Sequence, residues 1–119
     1  MLITTEGAEA VGGVLSTVTV PLETVLTVFV CANALGSCYG STGPSSINPA
    51  TQKPYGMDFP TVTIRDTVNL HMEVVMNEIG ASRVHCVVGG SMGGMQALEW
   101  AVQGGDYIKS AVVIGCGPM

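Results

Sequence analysis

The chain has 119 residues, of which 47% are hydrophobic and only 11% charged, and its net charge is −5 at pH 7. This length suits one compact domain or part of one, and so little charge is unusual for a small free-standing protein. We therefore expect much of its surface to be covered within something larger. The four basic residues form no cluster that could neutralise a phosphate backbone, so nucleic acid is excluded as a partner.

Cysteine spacing and the apolar segments indicate a cytoplasmic protein without a metal site. Neither C-x-x-C spacing nor paired histidines at zinc-finger distances occur, so we expect no metal and four reduced thiols, at Cys31, Cys38, Cys86 and Cys116. The amino terminus carries Glu6 and Glu9 where a signal peptide has basic residues, and Glu23 interrupts the apolar stretch 11–35. We expect no secretion signal and no membrane span.

The first 23 residues match no motif, whereas residues 24–119 are interpreted as a partial α/β domain. Residues 1–13 show no period and end in paired glycines, which predicts irregular structure. The segment VLSTVTV (14–20) alternates apolar and hydroxylated residues and predicts a short strand. The run TVLTVFVCA (24–32) is β-branched and almost wholly apolar, which predicts a strand buried on both faces of a parallel sheet.

A long loop and a helix follow this strand. Residues 33–60 are rich in Gly, Ser, Pro and Asn without periodicity, which predicts an ordered active-site or lid loop. Residues 63–80 predict a helix that has Thr63 as its N-cap, Asp66 at the capping-box position and Gly80 as its stop. An apolar stripe runs along one face of this helix: Ile64, Val68, Met72, Val75 and Ile79.

Three further elements complete the pattern: a buried strand at 83–88, a helix at 92–103 and a strand at 109–115. The order is β-loop-α-β-α-β. Strands that alternate with helices predict an α/β fold with a mostly parallel sheet, in which crossover helices make right-handed connections between strands.

The sequence VVGGSMGG (87–94) forms a glycine-rich turn between a predicted strand and a predicted helix. A Walker A loop is excluded because no lysine lies between Lys53 and Lys109. A dinucleotide-binding G-x-G-x-x-G is disfavoured because Ser91 stands where glycine is needed. The pattern G-x-S-x-G is met at 89–93, and its strand-turn-helix context is typical of a nucleophile elbow.

Ser91 is therefore the candidate nucleophile. In such an elbow the serine occupies strained backbone that lifts its hydroxyl above the sheet, and Gly89, Gly90 and Gly93 leave the space that this geometry needs. Met92 opens the helix, so its backbone N–H is the candidate oxyanion donor at the positive end of the helix dipole. A glycine-rich turn packed for structural reasons alone is the alternative.

Two longer blocks resemble the homoserine O-acetyltransferase family of the α/β-hydrolase superfamily, which includes related serine and deacetylcephalosporin acetyltransferases. They are NALGSCYGSTGPSSINPATQKPYGMDFPTVTIRD (33–66) and VVGGSMGGMQALEWA (87–101). The resemblance implies a partial α/β-hydrolase fold with no bound cofactor. It also implies that Ser91 takes an acetyl group from acetyl-CoA and passes it to L-homoserine, a step of methionine biosynthesis, and it allows a homodimer of the full enzyme.

The acid and base that such a serine requires do not follow it in this chain. In α/β-hydrolases the order is serine, acid, histidine, and no histidine follows Ser91. The upstream histidines and the nearby acids are interpreted as structural: His71 and His85 as core or surface residues, Asp66 with Arg65 as a helix cap, and Asp106 as a loop acid.

The family's upstream His-x-Leu-Thr-Gly-like loop, which supplies a second oxyanion amide, is also absent. Its strand would lie between 24–32 and 83–88, and we expect the segment 14–20 to fill that slot. These gaps predict a fragment of a homoserine O-acetyltransferase-like enzyme that is inactive alone. Two alternatives stay open: an esterase or lipase of the same fold, against which the 33–66 block argues, and a non-catalytic vestigial module.

Overall fold

The structure, a computed structural model, describes residues 2–6, 15–22 and 25–117, with side chains from residue 28 onward. From the strand Val25–Ala32 onward, the strands of the main sheet alternate with helices, as the hydrophobic pattern predicts, and a separate pair of two-residue strands lies within the long loop. The elements of the described part are β1 (Leu2–Glu6), β2 (Leu15–Leu22), β3 (Val25–Ala32), β4 (Ile47–Asn48), β5 (Lys53–Pro54), α1 (Ile64–Glu73), β6 (Val84–Gly90), α2 (Met92–Gly104) and β7 (Ala111–Ile114).

Five strands form one sheet in the order β2-β3-β1-β6-β7, and β4 pairs separately with β5. β3, β6 and β7 point the same way, and β6 pairs with β7 in parallel. The α/β class is confirmed. The prediction of a mostly parallel sheet is wrong for the described strands, because β1 and β2 run in the opposite direction. Only two residues separate β2 from β3, and so short a link permits only an antiparallel pair.

The slot between β3 and β6 is filled by β1, and β2 lies on the other side of β3. Residue Leu2 is paired with Cys31 of β3 on one side and with Val88 of β6 on the other. The expectation of irregular structure over 1–13 is therefore wrong for Leu2–Glu6, whereas residues 1 and 7–13 lie outside the described part. The expectation that 14–20 fill the slot is also wrong, because β2 pairs with the other side of β3. Without a strand here, both neighbours would present unpaired N–H and C=O groups inside the sheet, and such groups are costly.

Helix α1 begins as the sequence predicts. The Asp66 N–H donates to Thr63 Oγ1 (3.1 Å), and the Thr63 N–H donates to Asp66 Oδ2 (2.8 Å), which forms a complete capping box. The Thr63 hydroxyl also donates to Asp66 Oδ2 (2.6 Å), and this bond, together with that from the Thr63 N–H, holds the pKa of Asp66 below its usual range. Arg65 pairs with Glu99 on α2 (2.6 Å) and so ties the two helices together. The helix continues as a π-helical turn, and Gly80 ends it at φ 69°.

The hydrophobic core lies between the helices and the strands β3 and β6. In the predicted stripe, Val68, Val75 and Ile79 are buried, and Ile64 and Met72 are partly buried. The stripe is thus confirmed. The remaining buried apolar side chains of this core are Val28, Val30, Ala81, Val84, Val87, Ala97 and Trp100.

Over residues 28–32, strand β3 is buried on one face only. Val28 and Val30 are almost completely buried, whereas Phe29 is half-buried and Cys31 is exposed. The prediction of a strand buried on both faces is wrong, because within the described part α1 and α2 belong to a single core on the Val28 side.

A β-bulge keeps β6 in phase with this core. Val84 and Val87 are both fully buried although they are three residues apart. β6 has one extra residue, His85, between its pairing with Thr4 and its next pairing with β1. The bulge shifts the alternation of faces by one residue, so both valines point at the helices.

Both α-helices are short, at 10 and 13 residues. A bilayer-crossing helix needs about 20 apolar residues. Among the residues that the structure describes, no helix could therefore cross a membrane.

Candidate active site

Ser91 occupies the single residue between β6 and α2. Its backbone has φ 53° and ψ −121°, and Gln52 is the other non-glycine residue with positive φ in the described part. Such a conformation costs of the order of 1–3 kcal/mol and persists only where the surroundings hold it in place. Ser91 is exposed, so the sharp turn presents its hydroxyl to solvent, as a nucleophile elbow requires.

Hydrogen bonds hold the Ser91 backbone on both sides. Its N–H donates to the Ile114 carbonyl at the end of β7 (2.9 Å). Its own carbonyl accepts from the N–H groups of Gly94 (2.9 Å) and Met95 (3.2 Å) in the first turn of α2. The elbow is thus tied to the sheet and to the helix.

The glycines around Ser91 differ in how strictly the fold requires them. A Cβ atom on Gly89 would overlap the carbonyl group of Gly93 and lie 2.8 Å from the Gly94 nitrogen, so only glycine fits there. A Cβ on Gly90 would meet nothing nearer than the Ile114 oxygen at 3.9 Å, so a side chain fits. Close approach to the backbone of Gly93 thus explains Gly89, whereas Gly90 stands at a variable position of the motif. The role of Gly93 stays a prediction.

Gly94 is a further close contact that the sequence pattern does not indicate. A Cβ there would lie 2.8 Å from Cys116 Sγ and 3.2 Å from the carbonyl oxygens of Gly89 and Ile114. The start of α2 therefore packs directly against the chain that leaves β7. The second Gly-Gly pair of GGSMGG is the sign of this close contact in the sequence, but the sequence does not show which residue packs against it.

The Met92 N–H lies at the first position of α2, next to Ser91. First-turn amides have no acceptor within their own helix, and no backbone acceptor is described for this one among residues 2–6, 15–22 and 25–117. The positive end of the helix dipole also lies here and makes the electrostatic potential at this N–H more positive. The geometry is compatible with an oxyanion donor, and this role stays a prediction.

His71 is a buried structural residue. Its side chain is 2% exposed, and its Nε2 donates to the Asn33 carbonyl (2.9 Å) at the start of the long loop. Burial lowers the pKa of His71 more than this hydrogen bond raises it. His71 is therefore neutral near pH 7 and holds the loop against α1.

No base or acid reaches Ser91 within the described residues, because its hydroxyl has no hydrogen-bond partner among them. His85 is the bulge residue of β6, and Asp106 is exposed in a short 3-10 turn after α2. The same residues contain no group of three His, Cys, Asp or Glu side chains that could hold a metal ion.

The loop 33–60 is ordered and starts from the same sheet edge as Ser91. β3 and β6 run in the same direction, so Asn33 and Ser91 both leave the sheet at its carboxyl edge, where ligands bind in open α/β sheets. Backbone bonds fold the loop on itself, for example from Gly36 N–H to the Thr42 carbonyl (2.9 Å). An open cavity of about 480 Å³ lies between this loop and α1, and it is lined by Leu35, Gly40, Ser41, Thr42, Ser46 and Leu70.

Residues 28–118 match the family model of the α/β-hydrolase fold. The chain belongs to this family. Enzymes of this fold carry their nucleophile on such a strand-to-helix turn, and that Ser91 has this role stays a prediction. It is 60% identical over 97 residues to a homoserine O-acetyltransferase of Moorella thermoacetica, an alignment that covers 81% of this chain and 26% of that protein. The chain spans about a quarter of the length of the curated relatives it matches.

Two solved structures are also similar. Homoserine O-acetyltransferase from Bacillus anthracis has a TM-score of 0.57 and 39% identity, over 63% of this chain and 22% of that one. Esterase E22 has a TM-score of 0.60 and 42% identity, over 66% of this chain and 23% of that one. The predicted resemblance to homoserine O-acetyltransferases is confirmed, and an esterase shares it.

Proposed function

We propose that Ser91 is the acyl-accepting nucleophile of an O-acetyltransferase that moves an acetyl group from acetyl-CoA to the hydroxyl of L-homoserine, in the cytoplasm and as a step of methionine biosynthesis. The observation that supports this most is the exposed serine held at φ 53° between β6 and α2. The relatives named homoserine O-acetyltransferase support homoserine as the acceptor over the serine or deacetylcephalosporin of related enzymes.

The reaction is a two-step transfer without a resident cofactor. The Ser91 oxygen attacks the carbonyl carbon of the acetyl thioester, the C–S bond breaks, and the proton of the serine leaves with the thiol of CoA. The homoserine hydroxyl then attacks the acetyl-serine ester and returns a proton to Ser91. The Met92 N–H stabilises the oxyanion in both steps, and loss of one such donor typically costs about 10²–10³ in rate.

Both steps need a base to move these protons, and the 119 residues have no histidine after Ser91. We therefore expect this chain, taken alone, to form acetyl-Ser91 slowly and not to turn over. The acid and histidine of the full activity would follow Ser91 in chain order.

Acylation of the chain tests the proposal directly. The 119-residue chain is incubated with p-nitrophenyl acetate or acetyl-CoA, and peptide mapping by mass spectrometry locates the acetyl group. We expect acetylation at Ser91, its loss in Ser91→Ala and its retention in Gly90→Ala, which changes the same turn where space exists. A folded chain with no acetylation at Ser91 would instead favour a non-catalytic module.

Ester hydrolysis is a second candidate, favoured by the similarity to esterase E22. This similarity also weakens the 33–66 block as an argument against an esterase. The fate of acetyl-Ser91 distinguishes the two, because a transferase gives O-acetylhomoserine when homoserine is present, whereas an esterase gives acetate at the same rate with or without it.

A further inference from the structure

The chain that leaves β7 contacts the elbow at two separate points. The Ile114 carbonyl accepts from the Ser91 N–H (2.9 Å). Gly115, at φ 62°, then turns the chain, and Cys116 Sγ lies where it would meet a Cβ on Gly94 at 2.8 Å. Gly94 in turn donates to the Ser91 carbonyl (2.9 Å). One of the two peptide groups that flank Ser91 is therefore bonded to this turn, and the other is bonded to Gly94, against which the turn packs.

We propose that the turn Ile114–Cys116 is a positioning element for Ser91, and that Gly94 is the residue through which it acts. The inference rests on the proposed function in treating Ser91 as a nucleophile. A left-handed serine is unfavourable in isolation, so an external acceptor for its N–H and a fixed partner for its carbonyl select this conformation. Both lie outside the pentapeptide G-x-S-x-G.

The space at Gly94 sets the distance between the turn and the helix. A methyl group there would push away Cys116 Sγ and crowd the Ile114 carbonyl, which is the acceptor of the Ser91 N–H. Helix propensity alone would favour alanine over glycine at this position. A purely helical role and a positioning role for Gly94 therefore predict opposite effects of Gly94→Ala on the elbow.

Amide hydrogen exchange of the unmodified chain, followed by NMR, is the first test. We expect the Ser91 N–H, which has an acceptor on β7, to be at least tenfold more protected than the Met92 N–H, for which no backbone acceptor is described within residues 2–6, 15–22 and 25–117. Equal protection of the two amides would overturn the proposal without any variant.

Substitutions provide the second test. Gly94→Ala should lower the protection of the Ser91 amide at least tenfold, while the control Gly90→Ala leaves it within twofold. The double variant Gly94→Ala with Cys116→Ala should recover part of the protection, because the nearest clashing atom is gone. Protection in Gly94→Ala that equals the control, or no recovery in the double variant, would contradict the proposal.

The acylation experiment separates this inference from the proposed function. If the Ser91 amide is protected but Ser91 is never acetylated, the positioning role of the turn is supported and the catalytic role of Ser91 is refuted. If Ser91 is acetylated but its amide is unprotected, the catalytic role of Ser91 is supported and the positioning role of the turn is refuted.

Discussion

Replacing Gly89 by alanine should destabilise the fold far more than the same change at the adjacent Gly90. An added Cβ at Gly89 overlaps the Gly93 carbonyl and lies 2.8 Å from the Gly94 nitrogen. All of these are backbone atoms, so no side-chain rotation relieves the clash, and strand and helix must separate. At Gly90 the nearest atom is 3.9 Å away, and the residue is exposed.

Ordinary overpacking costs about 1–3 kcal/mol, and a clash with rigid backbone belongs at the upper end. A loss of about 3 kcal/mol is a large part of the roughly 5–15 kcal/mol by which domains are stable. At about 4 °C per kcal/mol for a chain of this size, the melting temperature of Gly89→Ala should fall by roughly 12 °C.

Thermal and urea unfolding followed by circular dichroism measure this difference. Gly90→Ala is the matched control and should stay within about 0.5 kcal/mol of the unmodified chain. A difference of about 2 °C corresponds to the ~0.5 kcal/mol allowed for the control. If the two variants melted within that interval of each other, the contact between the end of β6 and the start of α2 would not determine the elbow.

Three smaller predictions concern the support of the site. Thr63→Ala removes the N-cap of α1 and should lower the free energy of unfolding by about 1 kcal/mol in urea titrations; no change would mean that the cap does not limit α1. Tyr107→Phe removes the hydrogen bond to the Ala81 carbonyl (2.7 Å) and should cost about 1 kcal/mol, whereas an unchanged melting temperature would contradict a net contribution. Burial lowers the pKa of His71, so as the pH falls this histidine binds a proton in the unfolded chain before it does so in the folded chain. The free energy of unfolding should therefore decrease as the pH drops below about 6.5. His71→Gln, still able to donate to Asn33, should show a flatter melting profile between pH 7 and 5; equally steep profiles would assign the titration elsewhere.

Much of the fold follows from local patterns in the sequence. The apolar stripe of α1, its capping box at Thr63, the elbow at Ser91 and the three strands of common direction were all readable, because each depends on residues within one turn or one strand. The same holds for His71, whose place on the helix predicts a structural role that its burial confirms.

The sequence did not show which of these elements pair with each other. No local sequence pattern shows whether Leu2–Glu6 or 14–20 pairs with the edge of β3 that faces β6. Pairing there depends on which segment can form backbone hydrogen bonds with β3 and β6 at the same time. For the same reason the sequence could not show the extra residue of β6 at His85, since a bulge is defined only relative to a neighbouring strand.

The motif GGSMGG by itself determined that Ser91 stands on a strained turn between a strand and a helix, since only glycine tolerates backbone that close. The tertiary structure alone decided which glycines are required, Gly89 for the helix backbone and Gly94 for the turn after β7. It also decided that the Ile114 carbonyl receives the Ser91 N–H. The contact of Gly94 with Cys116 and the bond of Ser91 to Ile114 join residues more than twenty positions apart, and such distances are set by packing and not by sequence spacing.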